Sequence, residues 1–126
     1  PAYPAVRRPF FGWRGQRLAY AAVMKDNKMC MVVDGRPQAA FDAVGLPYFS
    51  PDDTHVAYPV LVDRKWYAAV DGVAGEVPLD GFLKGAPFVY TAENRFQTLG
   101  MRLPGPEFVQ LTVRIGMPSV VSRAPQ

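Results

Sequence analysis

His55 is the only histidine in the chain, and so the only side chain ready-made as a general base near neutral pH. A hydrolytic triad would need it beside Ser50, Ser119 or Ser122, and no nucleophile-elbow motif surrounds any of these serines. One histidine and one cysteine do not assemble a zinc set. Cys30 lies between Met29 and Met31, a trio that could attract a soft metal. On a strand the two methionines face away from the cysteine, so three packing side chains is the simpler reading. Asp52-Asp53 could be half of a carboxylate pair or part of a calcium loop, but EF-hand spacing is missing and a turn accounts for both residues. No glycine-rich phosphate loop of the Walker or Rossmann kind occurs. The sequence therefore assigns no catalytic residue, no metal and no cofactor.

The elements that must position these residues recur. Pro9-Phe10-Phe11 aligns with Pro47-Tyr48-Phe49 and Pro87-Phe88-Val89. Leu18-Ala19-Tyr20 aligns with Val56-Ala57-Tyr58 and Phe96-Gln97-Thr98, Lys28-Met29 with Lys65-Trp66, Val33-Asp34-Gly35 with Val70-Asp71-Gly72, and Phe41-Asp42 with Leu79-Asp80. The offsets are 37 or 38 between copies one and two and 40 between copies two and three. In copy two, strands are expected over Leu46 to Phe49, about Thr54 to Val62, Lys65 to Val70, and about Gly75 to Phe82. Ser50-Pro51-Asp52-Asp53 and Asp71-Gly72 are the turns between them. No window of a dozen residues keeps a helical period without a Gly or Pro break.

Four antiparallel strands in about 40 residues, repeated, is the pattern of a β-propeller blade. The segment Tyr48-Phe49-Ser50-Pro51-Asp52-Asp53-Thr54-His55-Val56-Ala57-Tyr58 resembles the F-S-P-D-G-x-x-[IVL]-A-Y repeat of TolB-like β-propellers. Lys65-Trp66-Tyr67-Ala68-Ala69-Val70-Asp71-Gly72 resembles the second half of such blades. Copy one departs at the turn with Gly12-Trp13-Arg14-Gly15, copy two has Asp53 where glycine is usual, and copy three has Tyr90-Thr91-Ala92-Glu93. The resemblance covers residues 9 to about 102. It implies an all-β domain over 1–126, with blade 1 at about 9–45, blade 2 at about 46–85 and blade 3 at about 86–126. It implies nothing specific about activity, because such scaffolds host many roles.

A residue that recurs in every copy argues for a structural task, as with Asp34 and Asp71 or Asp42 and Asp80. His55 falls in register with Arg17 and Arg95, as an exposed strand start would. Function is then expected where the copies differ. Trp13 and Arg14 replace Pro51 and Asp52, and Arg7-Arg8 lie just upstream. An indole beside guanidinium groups can hold a planar or anionic ligand by stacking and charge, so Arg7, Arg8, Trp13 and Arg14 are the candidate binding residues.

Composition narrows the partners. Net charge is +3, laid out as +4 over residues 1–17, −4 over 18–93 and +3 over 94–126. The bases are scattered singly apart from Arg7-Arg8, which argues against a nucleic-acid stripe. No apolar run reaches the ~20 residues of a membrane span. A single cysteine excludes an internal disulfide and favours the cytoplasm over the periplasm. The chain opens on Pro1 rather than Met, which leaves room for a removed segment, a secretory leader included.

Propellers close with roughly four to eight blades, and three blades leave sheet faces uncovered. Pairing of two chains into a six-bladed homodimer is the expected solution, through an apolar interface on the order of 2,000 Å². In that expectation residues 1–8 or 117–126 cross to the partner, because copy three lacks an obvious fourth strand. The expected function is a non-enzymatic binding or protein-interaction module with a protein or small-molecule ligand. The rivals are a small-molecule-binding protein or hydrolase with its site at the central channel, and a structural piece of a longer propeller.

Overall fold

The computed structural model describes residues 3–83 and 87–123, and these are all-β, with three antiparallel sheets and no helix. Sheet 1 holds β1 (Ala5–Val6), β2 (Phe10–Phe11), β3 (Leu18–Val23), β4 (Met29–Val33) and β5 (Arg36–Phe41). Sheet 2 holds β6 (Ala43–Val44), β7 (Tyr48–Phe49), β8 (Val56–Val62), β9 (Lys65–Val70) and β10 (Val73–Ala74). Sheet 3 holds β11 (Gly81–Phe82), β12 (Val89–Ala92), β13 (Arg95–Arg102), β14 (Glu107–Arg114) and β15 (Val120–Arg123).

Each sheet is a four-row blade whose first row is split in two. Both β1 and β2 pair with β3, both β6 and β7 with β8, and both β11 and β12 with β13. The split explains why each sheet starts a few residues ahead of its expected boundary. Two-residue strands are too short to show a period of two, so the Pro-aromatic halves were visible and the upstream halves were not. It also explains Pro59 in the middle of β8. Gly45 donates its amide to the Pro59 carbonyl at 2.8 Å, so Pro59 turns its missing N–H toward the gap between β6 and β7. A side chain at Gly45 would meet the Pro59 ring, with Cγ 2.4 Å from the added Cβ.

Two expected strands are corrected. The fourth row of sheet 2 is Val73–Ala74 plus a single bridge from Leu79 to Trp66, while Gly81–Phe82 already belongs to sheet 3. Sheet 3 has its own fourth row, since Val120–Arg123 pairs with β14, and Ala5–Val6 pairs within sheet 1. A strand crossing to a partner is therefore not needed to complete any described sheet. Copy three also shifts by one residue at its start. Tyr48 pairs with Ala57, and the residue opposite the equivalent Gln97 is Val89, not Phe88.

The sheets stack face to face. Ala19, Ala21, Met31 and Val33 of sheet 1 pack on Val44, Phe49, Val56, Tyr58, Val60 and Ala69 of sheet 2. The other face of sheet 2, with Ala57 and Ala68, packs on Leu79, Phe88, Phe96, Val109, Leu111 and Val113. Strand composition follows this layering. β8, covered on both faces, is VAYPVLV and almost wholly apolar, whereas β13 alternates buried and half-buried residues because only one face meets a neighbour.

Candidate binding cleft

The recurrent aspartates are structural. The Leu18 amide donates to Asp34 Oδ1 at 2.9 Å and Arg17 Nε to Oδ2 at 3.0 Å. In sheet 2 the Val56 amide donates to Asp71 Oδ1 at 2.9 Å, and His55 Nδ1 lies 2.6 Å from Oδ2. His55 thus takes the part of Arg17 at an exposed strand start. The Ser50 hydroxyl is buried, donates to Asp52 at 2.7 Å and accepts the His55 backbone amide at 3.0 Å. The serine nearest to His55 in sequence is therefore spent inside its own turn. Asp52 also takes the Thr54 amide and hydroxyl, and the Ser50 and Thr54 hydroxyls hold its carboxyl down at about 2.

Asp53 has a different task. Its side chain reaches the turn of sheet 1 and accepts the backbone amides of Trp13 at 2.8 Å and Arg14 at 2.9 Å. Trp13 then lies over sheet 2 and donates its indole N–H to the Phe49 carbonyl at 3.0 Å, with 76% of the residue exposed. The odd turn of copy one and the odd aspartate of copy two are two halves of one contact between blades.

This contact holds one wall of a cleft. The half-strands β2, β7 and β12 come side by side and leave an opening of about 870 Å³. Phe10, Phe11 and Trp13 line it from sheet 1, Tyr48, Phe49 and Pro51 from sheet 2, and Pro87, Phe88, Val89 and Tyr90 from the approach to sheet 3. Its far wall is a cluster of aromatic rings. Phe88 stacks between Tyr48 and Phe96, with centroids 5.3 and 4.9 Å away, and Phe82 meets it edge-on at 5.4 Å. The Tyr90 hydroxyl donates to the Tyr48 carbonyl at 3.3 Å, and burial pushes its phenol well above the ordinary range.

The structure divides the four residues singled out in the sequence. Trp13 lines the main cleft. Arg14 contributes its backbone amide to Asp53 and does not line it. Arg7 and Arg8 border a second opening of about 360 Å³ with Ala21, Val44, Gly45 and Leu46. Phe10 and Pro47 line both openings, and the Arg8 guanidinium sits 5.0 Å from the centre of the Phe10 ring. Tyr48, Phe88 and Tyr90 were missed as site residues. Their signal was the recurring Pro-aromatic motif itself, which had been used only to set the repeat register.

The chemistry on offer is adhesive. The residues lining the main cleft include no carboxylate, histidine or serine. The Trp13 N–H and Tyr90 O–H are engaged by backbone carbonyls, which leaves aromatic faces and proline rings turned to the opening. Such a wall suits flat apolar groups, with Arg8 at its margin for carbonyl or anionic oxygen. No protein-family model matches the chain, and no curated protein matches it.

Proposed function

We propose that the protein is a non-enzymatic binding or protein-interaction module on a propeller-type scaffold, and that the aromatic cleft is its contact surface. The observation that carries this reading is an aromatic wall built from all three blades, with the Trp13 N–H and the Tyr90 O–H already engaged by backbone carbonyls. The blade motif supports placing the chain among TolB-like propellers, and the outer faces of sheets 1 and 3, which no other described sheet covers, support a homodimer of six blades. Small-molecule binding is the second reading, favoured by a cleft volume within the ~300–1,000 Å³ common for ligand pockets.

A thermal-shift screen against proline-rich and aromatic peptides, sugars and nucleotides tests it. Binding by peptides carrying flat apolar side chains is expected, with loss in Trp13→Ala and in Tyr48→Ala. A ligand whose affinity is untouched by both changes would place the site elsewhere and remove the cleft from the reading.

A further inference from the structure

We infer that the outer face of sheet 1 docks onto the outer face of sheet 3 of a second copy, so that two chains meet head to tail at both ends and close a ring of six sheets. This inference rests on the dimer reading above and assigns its surfaces.

Strand pairing puts the outer face of sheet 1 in register with the face of sheet 2 that receives sheet 1. Val6 opposite Ala22 corresponds to Val44 opposite Val60, and Phe11 opposite Leu18 corresponds to Phe49 opposite Val56. Tyr20 corresponds likewise to Tyr58. The receiving face is thus built twice: in sheet 2 it is covered by sheet 1, and in sheet 1 its centre, Ala22, Cys30 and Val32, is covered only by the chain's own Tyr3, Tyr20 and Met24. Phe49 is 5% and Val44 8% exposed beneath sheet 1, while Phe11 is 67% and Val6 57% exposed. The exposed Val6 and Phe11 and the half-buried Leu18 and Tyr20 around that centre leave apolar surface of the kind that marks an interaction site.

The outer face of sheet 3 corresponds to the faces that dock within the chain. Val89, Leu99, Met101 and Phe108 take the places of Tyr48, Pro59, Leu61 and Trp66. Val89 and Phe108 are about half exposed there. Gln97, Gln110, Thr112 and Ser122 on this face are polar but uncharged, and Arg95 and Arg114, opposite each other, put two cations at one end of it; the repeat accounts for the uncharged ones. Within the chain the Tyr58 hydroxyl donates to Gln38 Oε1 at 2.6 Å across the contact between sheets 1 and 2. The equivalent Tyr20 hydroxyl meets no acceptor among the described residues. On sheet 3 the place of Gln38 is held by Ser122, with Gln110 opposite it on β14. Head-to-tail docking supplies Tyr20 with the acceptor its position calls for. Pairing two sheet 1 faces with each other does not.

Light scattering coupled to size exclusion at micromolar concentration is the test. Wild type is expected at twice the mass of the chain. Val6→Asp and Phe108→Asp alter exposed positions outside the aromatic cleft, so each is expected to keep the wild-type circular dichroism and to run as a monomer. Tyr20→Phe is expected to weaken the dimer by roughly tenfold to a hundredfold, the worth of two hydrogen bonds, one at each end of the ring. A monomeric wild type overturns the contact, and a ladder of species growing with concentration overturns ring closure. A dimer that survives Phe108→Asp but not Val6→Asp shows sheet 1 faces pairing with each other and overturns the head-to-tail arrangement. Ligand binding is read separately: a monomer that still binds at the cleft loses only the ring, and a dimer that binds nothing loses only the cleft.

Discussion

Asp53 shows how much one side chain can carry. It sits at a φ of +60°, a position that glycine fills more easily, and is 6% exposed. What holds it there is the pair of amides from the neighbouring blade. Asp53→Ala strands both amides and is expected to cost about 2–3 kcal/mol by urea denaturation, with Trp13 fluorescence shifting as the indole lifts from Phe49. Asp53→Gly should relieve the backbone yet still lose stability; a variant more stable than wild type would show the amide contact to be idle. Asp52, nearby, sets an acid dependence. Its folded pKa of about 2 lies below the ordinary 3.8, so its contribution is full above pH ~4 and vanishes as pH falls toward 2. Asp34, Asp42 and Asp80 are lowered too, the first chiefly by the Leu18 amide, the others chiefly by Lys28 and Lys65. Urea midpoints should therefore drop between pH 4 and pH 2, and less steeply in Asp52→Asn. The buried Thr98 hydroxyl has no partner among the described residues. Thr98→Val keeps its shape and removes that cost, so a gain of roughly 1 kcal/mol is expected in the same assay.

At the scale of elements, the turns and the staples between blades repeat. Gly35 and Gly72 have φ of +80° and +88°, and the aspartates before them are also left-handed. Both alanine variants should cost about 1 kcal/mol for the backbone. Gly72→Ala should cost more, because its Cβ would lie 3.0 Å from Gln38 Cβ while nothing lies within 4 Å at Gly35. Equal midpoints for the two would contradict that contact. In sheet 3, Ile115-Gly116 stands in place of Asp-Gly; Gly116 keeps a φ of +83°, and Arg95 turns to the Thr91 hydroxyl. Between blades, Lys28 and the Asp63 amide share Asp42, and Lys65 and the Leu103 amide share Asp80. Each aspartate ties a strand of one blade to a hairpin of the next. Their recurrence was legible in the sequence; that they bridge blades was not, since a repeat shows that a residue is needed without showing what it touches.

For the whole molecule, stability should follow burial between sheets. Tyr58 and Phe96 lie wholly inside the two interfaces. Tyr58→Ala and Phe96→Ala should each cost on the order of 3–5 kcal/mol. Trp66, though a large aromatic in a strand, is only half-buried, at the same register as the half-buried Met29. Trp66→Ala should therefore cost clearly less, and a midpoint as low as that of Phe96→Ala would mean that another surface covers the indole.

The sequence by itself determined the all-β class, the number of copies, the two Asp-Gly turns and the structural standing of the aspartates. These depend on local rules: period-two patterning, the φ preference of glycine, and spacing. Only the tertiary structure decided the split first strands, the pairing of Asp53 with the Trp13 turn, and the cleft. The partners at the Asp53 joint and across the cleft lie 36 to 42 residues away along the chain. A contact between blades leaves no periodic trace in either segment, so Trp13 and Asp53 each read alone as a departure from the repeat. Three-dimensional packing made the two departures one joint, and placed the recurring Pro-aromatic pairs along a single cleft.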